Sequence, residues 1–185
     1  SYLTTAMYQR MFDSCTTHVK TPSTLPAKTC STQAYYAMFY NCTSLREGPT
    51  IVATTLAKSA MTQMFMGCSS LTDVPYLPVA TLADACYQNM FNGCTSLTGI
   101  PSFYFTKITS KSCQSMFKNC QSLTTVPSLA AITSVGTSGC ESMFMGCISL
   151  TDVATFPTVN CAAWCYGNMY NGCTSLTGVP STMNM

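Results

Sequence analysis

The phrase Met-Phe-x-Gly/Asn-Cys-x-Ser-Leu-Thr, or a close variant of it, returns seven times along this chain at a spacing of 26 or 27 residues. Its aromatic position is held by Phe12, Phe39, Phe65, Phe91, Phe117, Phe144 and Tyr170; Met precedes each one and Cys follows three residues later. One such unit cannot fold alone. Burying its Phe, Met, Leu and Val gains roughly 6 to 12 kcal/mol, at about 1.5 to 3 per side chain, while ordering its backbone costs on the order of 26 to 52 kcal/mol. Repeats of this length resolve the deficit by stacking, so that each copy buries its apolar surface against its neighbours. With no linker between copies, residues 1–185 are expected to form one continuous repeat domain of about seven coils.

The copy from Thr81 to Pro101 divides into two halves. In the first, Cys86, Tyr87, Met90 and Phe91 fall at i, i+1, i+4 and i+5 while Gln88 and Asn89 face away, a spacing that predicts a short amphipathic helix. Thr81 with Asp84, and Ser138 with Glu141, have the spacing of a capping box. Two residues after the aromatic, Asn41, Gly67, Gly93, Asn119, Gly146 and Gly172 mark a left-handed stop, with Ser14 as the exception. The second half pairs Leu71 with Val74, Leu97 with Ile100, Leu123 with Val126, Leu150 with Val153 and Leu176 with Val179. Closed by Pro75, Pro101, Pro127 or Pro180, it reads as a short strand that stacks in parallel from coil to coil. The expected fold class is therefore α/β, a solenoid with one short helix and one short parallel strand per coil.

Eight basic and six acidic residues leave a net charge of +2, with no basic stripe for nucleic acid or for an anionic membrane surface. Apolar runs of a few residues fall far short of the roughly 20 that span a bilayer, so membrane insertion is not expected. The chain opens on Ser1 with neither an initiator Met nor a charged-then-apolar leader, as a mature product or a fragment does.

The run Leu-Pro-x-x-Thr-Leu-Ala-x-x-Cys-Tyr-x-x-Met-Phe-x-Gly-Cys-Thr-Ser-Leu-Thr, from Leu77 to Thr98, resembles the BspA-like leucine-rich-repeat surface proteins of gut and oral bacteria, in particular their cysteine-containing 26-residue variant. The resemblance extends over essentially the whole chain. It implies a right-handed leucine-rich-repeat solenoid at the cell surface or outside the cell, with adhesion or protein binding rather than catalysis as its role. Copy one departs from the pattern with His18 in the Leu position and Lys20 nearby, and copy six has Ala154 in place of Pro.

Thirteen cysteines admit disulfides, metal or buried thiols. Seven form a ladder, Cys15, Cys42, Cys68, Cys94, Cys120, Cys147 and Cys173. Equivalent side chains on parallel rungs point the same way and do not readily reach the near-90° torsion that a disulfide needs. An odd total leaves at least one thiol unpaired in a monomer. A structural zinc site requires four convergent ligands, and Cys161 with Cys165 has no second pair and no histidine nearby. Buried reduced thiols are the expected state, with Cys161 and Cys165 as the candidate local disulfide. No metal and no cofactor is expected.

His18, the sole histidine, has no local nucleophile or carboxylate arrangement, and the glycines are spread by the repeat instead of forming a phosphate loop, so no catalytic residue is assigned. The Met ladder from Met11 to Met169 reads as core in preference to a copper site, and Tyr8, Tyr35, Tyr87 and Tyr166, four residues before the aromatic, read as core also. Function is expected where side chains vary on a constant frame: Thr72, Asp73, Tyr76, Thr98, Ser102, Phe103, Thr124, Thr125, Thr151, Asp152 and Thr177. The same hydroxyls could serve solubility alone, and Arg46 and Val19 interrupt the column that ice binding would need. The functional expectation is a non-enzymatic adhesion or protein-binding module for a protein or glycan on a host or neighbouring cell. The alternative is a structural subunit that joins head to tail into an extracellular filament, or a segment of a larger surface or phage-fibre protein.

Overall fold

The computed structural model describes residues 2–17, 21–157 and 159–178. The repeat does stack: every copy lies against the next in register, and the aromatic column Phe12, Phe39, Phe65, Phe91, Phe117, Phe144, Tyr170 forms an unbroken series of stacked rings 5.3 to 5.9 Å apart. Alongside it run the Met column, buried from Met38 to Met169, and the Leu column, buried from Leu45 to Leu150. Both columns are core from the second coil onward; Met11, read as core with the rest of its column, is 57% exposed. His18, Val19, Lys20, Val179 and Pro180 lie outside the described residues.

The helix half is not a helix. No α-helix occurs among the described residues, and the segments expected to form one are chains of consecutive turns. Within each coil alternate N–H groups close turns to the carbonyl three residues earlier, as Ala34 to Ser31, Tyr36 to Gln33, Met38 to Tyr35 and Tyr40 to Ala37. The intervening N–H groups point along the stack and donate to the next coil, as Tyr35 to Ala60, Ala37 to Thr62, Phe39 to Met64 and Asn41 to Met66. Five such bonds cross each of the six junctions between the seven coils. An α-helix instead directs every N–H along its own axis to the carbonyl four residues back, leaving none for a neighbour.

What interrupts the helix is a left-handed residue at every fourth position. Gln33, Ala37 and Asn41 have φ of 56°, 50° and 54°; Ala85, Asn89 and Gly93 have 55°, 54° and 80°. The Gly and Asn positions read as helix stops are indeed left-handed, including Asn41, Asn119 and the exception Ser14, but they are the last of three such positions in each coil. The capping boxes fall with the helix. Ser138 is itself left-handed and buried, and Thr81 forms a parallel bridge to Lys107. The inward pairs 86/87 and 90/91 recur at four residues, the period of this turn chain, and over so short a stretch that spacing is close to the 3.6 of a helix.

The strands also lie elsewhere than expected. They precede the turn chain: β1 (Tyr2–Leu3), β3 (Thr29–Cys30) and β5 (Thr55–Leu56) form one parallel ladder, and β6 (Lys107–Ile108) pairs with β7 (Ser134–Val135). Single bridges, Thr81 to Lys107 and Val135 to Cys161, place coils four and seven at the same position. A second parallel pair joins β2 (Thr24–Leu25) to β4 (Thr50–Ile51). Among the described residues the Ser-Leu-Thr-x-Val-Pro segments from 71 onward carry no strand. There the prolines remove donors, and scattered bonds such as Thr72 N–H to the Arg46 carbonyl and Thr151 N–H to the Thr124 carbonyl hold the coils together.

Close stacking leaves no room at Gly136, where an added Cβ would stand 2.8 Å from the backbone of both Thr109 and Ser110. Overpacking of this kind is relieved only by backbone movement. Gly136→Ala is expected to lower stability by about 1 to 3 kcal/mol, read as a lower urea midpoint with an unchanged slope.

Candidate partner-binding face and the thiol ladder

The side of the solenoid built from the Ser-Leu-Thr-x-Val-Pro segments carries the residues that sequence reasoning selected. In each segment Leu points into the core, so the Thr that follows it points out. Thr72, Thr98, Thr124, Thr151 and Thr177 are therefore exposed at equivalent positions of five successive coils, with Asp73, Ser102, Thr125 and Asp152 exposed beside them. Phe103 is different. It is half-buried, its ring 4.7 Å from Phe105 and 6.4 Å from Phe117, and it belongs to the edge of the core.

The hydroxyls are not equally available. Thr72 Oγ1 lies 2.8 Å from Asp73 Oδ2 and 3.4 Å from the Arg46 carbonyl of the preceding coil, and Thr151 repeats the arrangement with Asp152 and the Thr124 carbonyl. These two hydroxyls serve the frame. Among the described residues the hydroxyls of Thr98, Ser102, Thr124, Thr125 and Thr177 have no such partner. A ligand reaching them displaces only water, which makes them the better-placed donors and acceptors.

Sequence reasoning missed Tyr104. It is 56% exposed and meets Tyr76, 52% exposed, edge to face at 5.2 Å, so the two form an aromatic patch spanning adjacent coils. Partial desolvation, and then the Tyr104 ring and hydroxyl beside it, hold the Tyr76 hydroxyl above its ordinary range. The signal was present in Phe103-Tyr104-Phe105: when the first and third rings turn to the core, the middle one must face solvent.

The cysteines are ordered by a contact the sequence does not reveal. All thirteen are free thiols. In six coils the S–H of the ladder cysteine lies against the backbone carbonyl of the Phe in the preceding coil: Cys42 to Phe12, Cys68 to Phe39, Cys94 to Phe65, Cys120 to Phe91, Cys147 to Phe117 and Cys173 to Phe144, at 2.9 to 3.2 Å. The same carbonyls accept an N–H from the cysteine of their own coil, as Phe39 does from Cys42 at 3.2 Å. Both lone pairs of a buried oxygen are thereby engaged, which removes the desolvation cost of leaving one empty.

Burial pushes these thiols up, Cys30 and Cys42 to about 11 and Cys68, Cys86 and Cys147 to about 12, and drives Cys94, Cys113 and Cys120 well above the ordinary value of 9.0. Cys161 is the exposed thiol, and the half-buried Cys165 has its side chain within hydrogen-bonding reach of it. Among the described residues no group of three or more His, Cys, Asp or Glu side chains is arranged to hold a metal ion, and no helix is long and apolar enough to cross a membrane.

Compared with solved structures, the fold is similar to a leucine-rich repeat protein from Eubacterium ventriosum, 15% identical with a TM-score of 0.46, the match covering 89% of this chain and 47% of that one. It is similar also to a leucine-rich repeat protein from Bacteroides ovatus, at 16% identity and a TM-score of 0.47, over 91% of this chain and 50% of that one. A third, a leucine rich cell surface protein from Faecalibacterium prausnitzii, is 16% identical with a TM-score of 0.26 over 89% and 87%. The chain spans about half the length of the first two. No protein-family model and no curated protein matches it.

Two outcomes follow for the thiols. A thiol-specific probe is expected to label Cys161 rapidly in the native protein and to reach the ten buried cysteines only on unfolding; prompt labelling of the ladder cysteines would contradict the S–H contacts. Because the folded state holds these protons above their unfolded value, stability is fully present below about pH 9 and is lost as pH rises toward 11 to 12. Urea midpoints measured from pH 7 to pH 11 are expected to be flat at first and then to fall.

Proposed function

We propose that this chain is a non-enzymatic binding module of a bacterial surface or extracellular protein, a single leucine-rich-repeat domain that engages a protein or glycan through its exposed Ser-Leu-Thr side. The observation that carries the reading is the set of exposed hydroxyls of Thr98, Ser102, Thr124, Thr125 and Thr177, unpartnered among the described residues, on the same side as the exposed Tyr76 and Tyr104 pair. A fixed frame presents these groups at the spacing of the coils, so a ligand can be held by several contacts without the entropic cost of ordering a loop. Tyrosine supplies large contact area with few rotatable bonds and a polar tip. Few charges flank the row, which suits a neutral partner. The resemblance of the Leu77 to Thr98 run to BspA-like repeats supports the surface setting and the adhesive role.

Binding of the wild-type chain to arrays of secreted host proteins and of glycans gives the test. The variant Thr98→Lys, Ser102→Lys, Thr124→Lys is expected to lose at least tenfold in affinity for whichever partner the wild type captures, with an unchanged circular dichroism spectrum. Tyr76→Ala with Tyr104→Ala is expected to weaken the same interaction. Undiminished binding by both variants would move the interface to another side of the solenoid.

A further inference from the structure

The lysines are scattered in the sequence, and the fold gathers them. Just before the turn chain, coils turn two consecutive residues outward between two buried ones: Thr54 and Thr55 between Ala53 and Leu56, and Thr106 and Lys107 between Phe105 and Ile108. Lys28 and Thr29 hold the same place between Ala27 and Cys30. Parallel pairing stacks these positions rung on rung, Thr29 beside Thr55, and Lys107 between Thr81 and Ser134. In the first turn after the strand, Lys58 and Asp84 occupy equivalent positions of coils three and four, where their carbonyls accept the N–H groups of Gln33 and Ser59 from the coil before. Lys111 follows Lys107 at the same turn of coil five.

The strand side thus carries four exposed lysines, Lys28, Lys58, Lys107 and Lys111, against one exposed carboxylate, Asp84. All five lie in coils two to five, each with a described coil on either side, so their exposure does not depend on where the chain begins or ends. Among the described residues none of them is in an ion pair; the pair present is Arg10 with Asp13. Other carboxylates stand on the Ser-Leu-Thr side, where Thr72 donates to Asp73 and Thr151 to Asp152, with Glu47 exposed in the same row. A net charge of only +2 therefore conceals a separation of charge between two sides of the solenoid. The lysines span three rungs, about 14 Å at about 4.8 Å each, and at a screening length of about 8 Å neighbouring ammonium groups repel. An anionic chain laid along the stack relieves that repulsion.

We infer that the strand side binds a linear sulfated polysaccharide running along the stack, with sulfates on these four lysines. Lysine presents a point charge on a flexible stem, which follows anionic groups at varied positions along a chain. Beside the lysines the exposed hydroxyls of Thr54, Thr55, Thr81, Thr106 and Ser134 have no partner among the described residues, and they can donate to sulfate oxygens or accept from sugar hydroxyls. Segments 28–32, 54–58, 80–84, 106–111 and 133–137 contain no arginine and no aromatic residue. They offer no ring for a nucleic-acid base to stack on and no large exposed apolar side chain to enter a bilayer. This site is separate from the Ser-Leu-Thr side, whose hydroxyls suit a neutral partner.

The test titrates the 185-residue chain into a fluorescein-labelled heparin oligosaccharide and follows anisotropy. The wild type is expected to bind with an affinity that falls steeply as sodium chloride is raised, and desulfated heparin of the same length is expected not to bind. Lys107→Gln with Lys111→Gln is expected to weaken binding by about tenfold, and Lys28→Gln with Lys58→Gln by a similar factor. All four side chains are exposed, so folding is expected to survive and is checked by circular dichroism. Asp84→Asn is expected to tighten binding, and Lys118→Gln, in the turn chain of coil five, to leave it unchanged. A folded wild type that fails to bind at low salt would overturn the inference. So would full affinity in both double variants, or an equal loss in Lys118→Gln, which would show a response to net charge alone. Tighter binding of oligothymidylate or of phosphatidylserine vesicles than of heparin would also overturn it and assign the side to a nucleic acid or a membrane. Tyr76→Ala with Tyr104→Ala is expected to bind heparin like the wild type, so failure here and failure of binding on the Ser-Leu-Thr side are read separately.

Discussion

The rest of the structure depends on alternate backbone N–H groups leaving their own coil. In a helix they would be consumed locally, and the coils would meet through side chains alone. By turning every second N–H outward the chain joins each coil to the next by five backbone bonds, and the columns of Phe, Met, Cys and Leu fall into register as a consequence. The cost is a left-handed residue every four positions, about 1 to 2 kcal/mol for a residue with a side chain. Burial of the columns and the bonds themselves, at about 0.5 to 1.5 kcal/mol each, offset it. A coil isolated from its neighbours has the cost without the bonds, which is why the repeat has no meaning as a single copy.

The thiol ladder completes the same frame. A Phe carbonyl that has already accepted an N–H from its own coil still has a lone pair in an apolar interior. The cysteine of the next coil supplies an S–H to it while filling a space too small for a larger side chain. Serine at that position would donate more strongly but would bring a more polar group into the core, and alanine would leave the carbonyl half satisfied. Reduced cysteine meets both demands, and burial keeps it in the thiol form.

How much of this was legible in the sequence depends on which physical signal each feature leaves. Stacking in seven coils, the Phe, Met and Leu columns and the left-handed state at Gly67, Gly93 and Gly146 all leave marks in residue type, and they were read. The turn chain leaves almost none. In every coil at least one of the three left-handed positions, and in most coils two, are filled by residues such as Ala85, Gln63, Ser115 and Lys111, none of which announces a positive φ. A four-residue period over two turns also imitates a helix. The strands were placed on the wrong side of the coil because Val74 and Ile100 look like strand residues, whereas the pairing follows the backbone of Thr29, Thr55 and Lys107 just before the turns. Of the chosen face, the outward threonines followed from alternation with the buried Leu column. Phe103 and Tyr104 were exchanged in role because inward and outward positions alternate through that segment.

The lateral face of this frame repeats hydroxyls and adds a pair of tyrosines. The central claim is the left-handed residue at every fourth position, and nuclear Overhauser spectroscopy on the isotopically labelled protein tests it most directly. Ala37, Gln63, Ala85, Asn89 and Lys111 are predicted to show the strong contact between their own amide and α protons that a positive φ produces, with contacts between each coil and the next at the bonded N–H groups. A continuous series of α-proton to amide contacts three residues apart through 84–92, with weak intraresidue contacts at Ala85 and Asn89, would show a helix there and contradict the account.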